Sequence, residues 1–161
     1  MRHGYLLSTL LLVAASAQAG VVINGTRLVY QGDKKESSLG LSNPDTTDYL
    51  VQSWVDSGGK NQANAPFLIT PPLFRLDAKE DNVLRVVRTG GNLPEDRESL
   101  YWLNIKAIPS SKHVEGVNTL QIAINTRIKL LYRPSAVKGR PEDVADKLEW
   151  HREGNDLVVN N

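Results

Sequence analysis

The sequence predicts an all-β fold, an antiparallel sandwich, and three observations carry that prediction. Short runs rich in β-branched, leucine and aromatic residues recur along the chain, each ended by glycine, proline or an Asn/Asp/Ser cluster. The connections between runs are short, which antiparallel pairing allows and parallel crossovers do not. A helical period is almost absent, so seven or eight such strands argue for two packed sheets.

Residues 1–19 stand apart from this pattern. Arg2 and His3 form a basic start, Leu6 to Val13 an apolar run too short to span a bilayer, and Ala17-Gln18-Ala19 a small-x-small cleavage pattern. An export signal peptide is expected there, with the processed chain starting at Gly20. No later segment is apolar enough to cross a membrane, so no direct membrane insertion is expected. About 140 residues then remain, enough for one cored domain and a remnant. The chain has no cysteine, so an exported domain must close its core by packing alone.

The strands follow in order. Residues 20–23 and 27–30 are the first two runs, and 37–41 is the third, ended by Ser42-Asn43-Pro44-Asp45. Tyr49 to Asp56 alternates, with Val51, Ser53 and Val55 on one face and Leu50, Gln52 and Trp54 on the other. Residues 67–69 lead through Thr70-Pro71-Pro72 into 73–76, and 83–87 comes next. Leu100 to Ile108 is stopped by Pro109, and Leu120 to Tyr132 by Pro134. A linker around 135–140 precedes Pro141 to Leu148, where an opening proline, early acids and the Val144/Leu148 spacing predict one or two helical turns. Two further strands flank the Glu153-Gly154-Asn155-Asp156 turn. A lone hairpin is barely stable in water, so residues 135–161 read as a linker and the truncated start of a second β domain, after an N-terminal domain spanning 20–134.

Chemistry is sparse. After Gly20 there are two histidines, His113 and His151, too few for a zinc site with three or four protein ligands, so no metal and no cofactor are expected. No Gly-x-Ser-x-Gly elbow or phosphate-cradling glycine loop occurs, and an enzyme is not expected. The net charge of +1, with acids and bases interspersed, points away from a nucleic-acid partner.

The run from Leu120 to Leu130 is the informative one. Large apolar residues fill its even positions, Thr126 apart, and period two puts Leu120, Ile122 and Ile124 on one face. Periodicity by itself favours packing of that face into the sandwich core. At an open sheet edge the same face would be a row of apolar knobs beside unpaired backbone groups, a hazard unless another chain covers it.

The stretch Leu93-Pro94-Glu95-Asp96-Arg97-Glu98-Ser99-Leu100-Tyr101-Trp102-Leu103-Asn104-Ile105-Lys106-Ala107-Ile108-Pro109 resembles the signature of the PapD-like periplasmic chaperones of the chaperone–usher pathway. Asn24-Gly25-Thr26-Arg27, Thr70 to Leu76 and Ile128 to Pro134 agree in order and spacing. The resemblance implies an immunoglobulin-like sandwich and binding by strand addition, of which chaperone–pilin complementation is itself a recognised instance. It reverses the reading from periodicity: Leu120, Ile122 and Ile124 become donor-strand residues that enter the groove of a pilus (fimbrial) subunit. It further implies that Arg27 and Lys129 bind the subunit's C-terminal carboxylate, that Glu98 and Arg133 belong to an interdomain charge cluster, and that an outer-membrane usher is a second partner. The expected place of action is the periplasm. Lys129 has the opposite parity to Ile124, so a bulge is expected between them. The short loop from Pro109 to Thr119 resembles the branch serving rod-forming pili. The alternative is another exported immunoglobulin-like binding module, such as a pilin subunit or adhesin.

Overall fold

The computed structural model describes residues 20–58, 65–111, 120–139 and 141–160. The leader assigned to residues 1–19 and most of the loop after Pro109, with His113, lie outside the described residues. The strands are β1 (Val22–Ile23), β2 (Arg27–Gln31), β3 (Glu36–Ser42), β4 (Tyr49–Asp56), β5 (Phe67–Thr70), β6 (Leu73–Leu76), β7 (Asp81–Arg88), β8 (Ser99–Pro109) and β9 (Ile124–Arg133), then β10 (Glu149–Glu153) and β11 (Asp156–Asn160).

Alternating side chains divide each strand between core and solvent, and the two resulting apolar faces meet as a sandwich. One sheet has the order β1-β3-β7-β5 and the other β2-β9-β8-β4-β6. Leu39, Leu41, Ile69, Leu84 and Val86 come from the first sheet. Leu28, Tyr30, Val51, Leu76, Leu103, Ile105, Ile128, Leu130 and Tyr132 come from the second, and Leu93 joins the core from a loop. At one end of it Phe67 stands edge-on to Tyr30 and Tyr101, with ring centroids 5.4 and 5.1 Å apart. Such offsets align ring edges with ring faces.

Every connection from β1 to β8 crosses between the sheets, and the two shortest are direct switches. The chain leaves β1 through Asn24, whose amide donates to the Gly40 carbonyl at 3.0 Å, and re-enters as β2 on the opposite sheet. The second switch runs from β5 to β6 through the cis Thr70-Pro71 bond. The Ser53 amide there donates to the Pro72 carbonyl at 2.8 Å. Corners of this kind let short strands close both ends of a sandwich.

One pairing departs from the antiparallel expectation: β2 runs parallel to β9, with Arg27 opposite Lys129 and Gln31 opposite Arg133. Short connections restrict only strands that are consecutive in the chain. These two are separated by nearly the whole domain, so the restriction does not reach them. After Pro134 come two single 3-10 turns, Pro141–Asp143 and Ala145–Lys147, in place of a regular helix. The second buries no residue, and so short a segment lacks the packing that would hold an α-helix. β10 and β11 form their own antiparallel pair about Gly154, which takes φ +63°.

Asn43 ties the sandwich together at the turn after β3. It is 1% exposed, and its Nδ2 donates to the carbonyls of Thr47 at 2.9 Å, Leu76 at 3.3 Å and Asp77 at 2.9 Å. Its Oδ1 accepts the Asp45 amide at 3.1 Å. Asn43→Ala strands these partners, and leaving buried polar groups unpaired costs about 1–3 kcal/mol. The expected outcome is a lower midpoint in urea unfolding with an unchanged slope.

Candidate functional site

β9 is paired unequally along its two edges. β8 accompanies it continuously, from Ala107 opposite Ile124 to Ser99 opposite Tyr132. On the other edge β2 covers only Lys129 to Arg133. Among the described residues, no strand lies on that edge from Ile124 to Ile128, and residues 120–123 pair on neither side. The burial pattern changes at the same place. Ile124 to Arg127 are all exposed, and core alternation begins at Ile128.

The three residues expected to form the donor strand lie in or before this uncovered stretch. Leu120 is 87% exposed, Ile122 64% and Ile124 54%. Ile122, Ile124 and Thr126 line an open groove of about 350 Å³ with Ile105 and Ala107 of β8 and with Val21 and Ile23 of the N-terminal segment. The isoleucines therefore keep the parity of the core face, but project where the sandwich is open. Scattered exposed leucines are ordinary in folded proteins, whereas a contiguous apolar row beside free backbone groups is a docking feature.

The two cations are brought together. Arg27 and Lys129 are directly opposite in the β2/β9 ladder and both are exposed. Among the described residues neither forms an ion pair. The bulge expected between Ile124 and Lys129 is not present, because the β8/β9 register is unbroken from Ile124 to Tyr132. Simple alternation suffices: knobs and cations occupy opposite faces of one regular strand. Glu98 and Arg133 are also brought together, with Arg133 Nη1 donating to Glu98 Oε1 at 2.7 Å. Arg133 donates in addition to the Gly139 carbonyl, clasping the start of the segment that leads to β10.

A network beside the cations has no counterpart among the residues singled out from the sequence. Asp56, at the end of β4, accepts from Asn104 Nδ2 at 2.7 Å, Arg127 Nη2 at 2.7 Å and the Gly58 amide at 2.8 Å. The Arg127 guanidinium also lies over the Trp102 ring, 4.5 Å from its centroid, a cation–π contact. Trp102 is in turn opposite Lys129 in the ladder. A side chain at Gly58 would meet the Trp102 ring at 2.5 Å, and its φ of +78° suits glycine. The Asp56-Ser57-Gly58 turn is readable as a side chain capping its own backbone two residues on. Its partnership with Arg127, far along the chain, has no local signal. Burial alone would raise the Asp56 pKa, but hydrogen bonds from Asn104, Gly58 and Arg127 outweigh it and hold the carboxyl below its ordinary range.

The matching sequence pattern is that of the pili and flagellar-assembly chaperones, PapD N-terminal domain, over residues 20–138. The chaperone protein LpfB of Salmonella typhimurium is 47% identical, over 100% of this chain and 72% of its own length. The chaperone protein FimC of Escherichia coli is 43% identical over 98% of this chain and 66% of its own. The chain thus spans about two-thirds of the length of these relatives. The solved complex of the Salmonella enterica SafA pilin with the SafB chaperone matches with a TM-score of 0.80 and 44% identity, over 91% of this chain and 70% of that one.

Two measurements check the site's physics. Because the Asp56 carboxyl is harder to protonate folded than unfolded, its contribution is fully present above the unfolded value of about 3.8 and is lost as pH falls through the folded one. The stability advantage of the parent over Asp56→Asn is therefore expected to shrink in acid, as read by urea unfolding across that window. Leu130→Ala, at a fully buried position, costs about 2–5 kcal/mol, whereas Ile122→Ala costs under about 0.5 kcal/mol. Equal losses would mean that Ile122 is core.

Proposed function

The chain belongs to the pili and flagellar-assembly chaperones, and from that premise we propose that it binds pilus (fimbrial) subunits by lending them its β9 edge. In this reading the exported protein acts in the periplasm, caps a subunit that lacks a strand of its own, and passes it to an outer-membrane usher. Residues 20–134 act as the subunit-binding domain and residues 135–161 as the linker and start of a second β domain. The role is binding and not catalysis.

The observation that carries the proposal is the half-covered edge of β9. A strand added there gains a ladder of backbone hydrogen bonds along residues 124–128, and the isoleucines beside it gain a partner. Each large aliphatic side chain so buried contributes about 1.5–3 kcal/mol before ordering costs. The added strand must stop where β2 begins, because from Lys129 onward the edge is already occupied. That step falls at the Arg27/Lys129 pair. A chain terminus reaching it meets two unpaired cations, and charge-assisted bonds to a carboxylate are short and strong. The free edge supplies register and the cations supply the end stop. Glu98 and Arg133 then hold the subunit-binding domain to the segment after Pro134.

The test is co-expression of the full-length protein with a cognate pilin subunit. Arg27→Ala and Lys129→Ala are each expected to weaken the complex roughly ten- to hundredfold, the value of a hydrogen bond to a charged group, while thermal melts of the free protein stay unchanged. If both variants co-purify with the subunit at parent levels, the end-stop assignment is wrong. Ile122→Asp is expected to abolish capture with the cations intact.

A further inference from the structure

The wall of the groove that faces Ile122 and Ile124 is made by the first residues after the leader. Val21 and Ile23 pack against the core, and Val22 pairs with Ser42 of β3. Gly20 sits at the rim of the same groove, and its nitrogen donates to Asp45 Oδ2 at 2.8 Å. That oxygen also accepts the Tyr49 hydroxyl at 2.7 Å. The carboxylate is held in place by its own amide, which is bound by buried Asn43.

We propose that Asp45 is the receptor for the α-ammonium group that proteolytic processing creates at Gly20, so that the groove wall beside the donor strand is fully fastened only in the processed chain. The inference rests on the reading of residues 1–19 as a cleaved leader. Chemistry distinguishes the two states. While Ala19 is attached, the Gly20 nitrogen is an uncharged amide with one N–H. Hydrolysis of the Ala19–Gly20 bond consumes one water, leaves a carboxylate on Ala19 and turns the nitrogen into a cationic amine with three donors. The hydrogen bond to Asp45 then becomes an ion pair, the stronger class of contact. The surroundings already suit a charged Asp45: the Tyr49 hydroxyl, the Gly20 nitrogen and the nearby Lys79 charge together hold its carboxyl below the ordinary range. Burial and the same bond push the Tyr49 hydroxyl up to about 12, so it stays a donor.

The experiment uses protein purified after export, with its mass giving the first residue. Four forms are compared by urea unfolding: the parent, Asp45→Asn, a form with one extra alanine between Ala19 and Gly20 that is cleaved before the insert, and the two changes combined. One inserted residue moves the charge by about 3.8 Å along the chain. Asp45→Asn is expected to lower the folding equilibrium constant roughly tenfold in the form starting at Gly20, and by less than half that factor with the insert. Isotope-labelled glycine gives a second reading. The Gly20 amine is expected to titrate above the ordinary α-amino range of about 7.7–8.0 and to return to it in Asp45→Asn. Equal losses in both backgrounds, or an ordinary amine in the parent, overturn the ion pair. A mass that does not begin at Gly20 overturns the leader reading and the proposal with it.

Discussion

The structure depends on one asymmetry in backbone pairing: β9 has a neighbour along its whole length on the β8 side and along only half of it on the β2 side. A buried or half-buried strand with unpaired amides and carbonyls is costly unless water or another chain satisfies them. From Ile128 onward, β9 is an ordinary core strand that contributes Ile128, Leu130 and Tyr132. Before Ile128 it carries the same alternation, but among the described residues no strand lies on its second edge. One regular strand thus holds the domain together at one end and has an uncovered edge at the other.

The neighbouring features take their places from that asymmetry. Where β2 begins, its parallel register sets Arg27 beside Lys129, so the site where the free edge ends is also where positive charge collects. The Asp56 network flanks this point. By engaging Arg127 through Asp56 and Trp102, the sheet takes up a third cation, whereas Arg27 and Lys129 form no ion pair among the described residues. At the far end of β9, the Arg133–Glu98 bond and the Arg133 contact with Gly139 secure the exit of the chain. Ile124, Lys129 and Arg133 lie in sequence along one strand.

Much of the fold was legible because its signals are local. The alternation in Tyr49 to Asp56 put Val51 and Ser53 on one face, and both are buried. The Glu153-Gly154-Asn155-Asp156 turn was readable as a hairpin for the same reason. The features that escaped were non-local. The parallel partnership of β2 with β9 has no sequence signal, since nothing near Arg27 indicates a strand about a hundred positions away. The expected bulge before Lys129 came from reading the opposite parity of knobs and cations as a conflict. The two faces of one strand resolve it without any distortion. Asp56, Asn104 and Arg127 each look like solvated polar residues until the sheet aligns them.

The sequence by itself determined the all-β class, the approximate strand positions and the alternation along Leu120 to Leu130, although the last strand of the domain begins at Ile124 and not at Leu120. These come from turn chemistry and side-chain period, which are properties of a few adjacent residues. Only the tertiary structure decided that Ile122 and Ile124 stand open while Ile128 and Leu130, with identical parity and similar chemistry, are enclosed. The reason is that burial depends on what the opposite sheet and the neighbouring strands bring against each position, and β2 joins β9 only from Lys129.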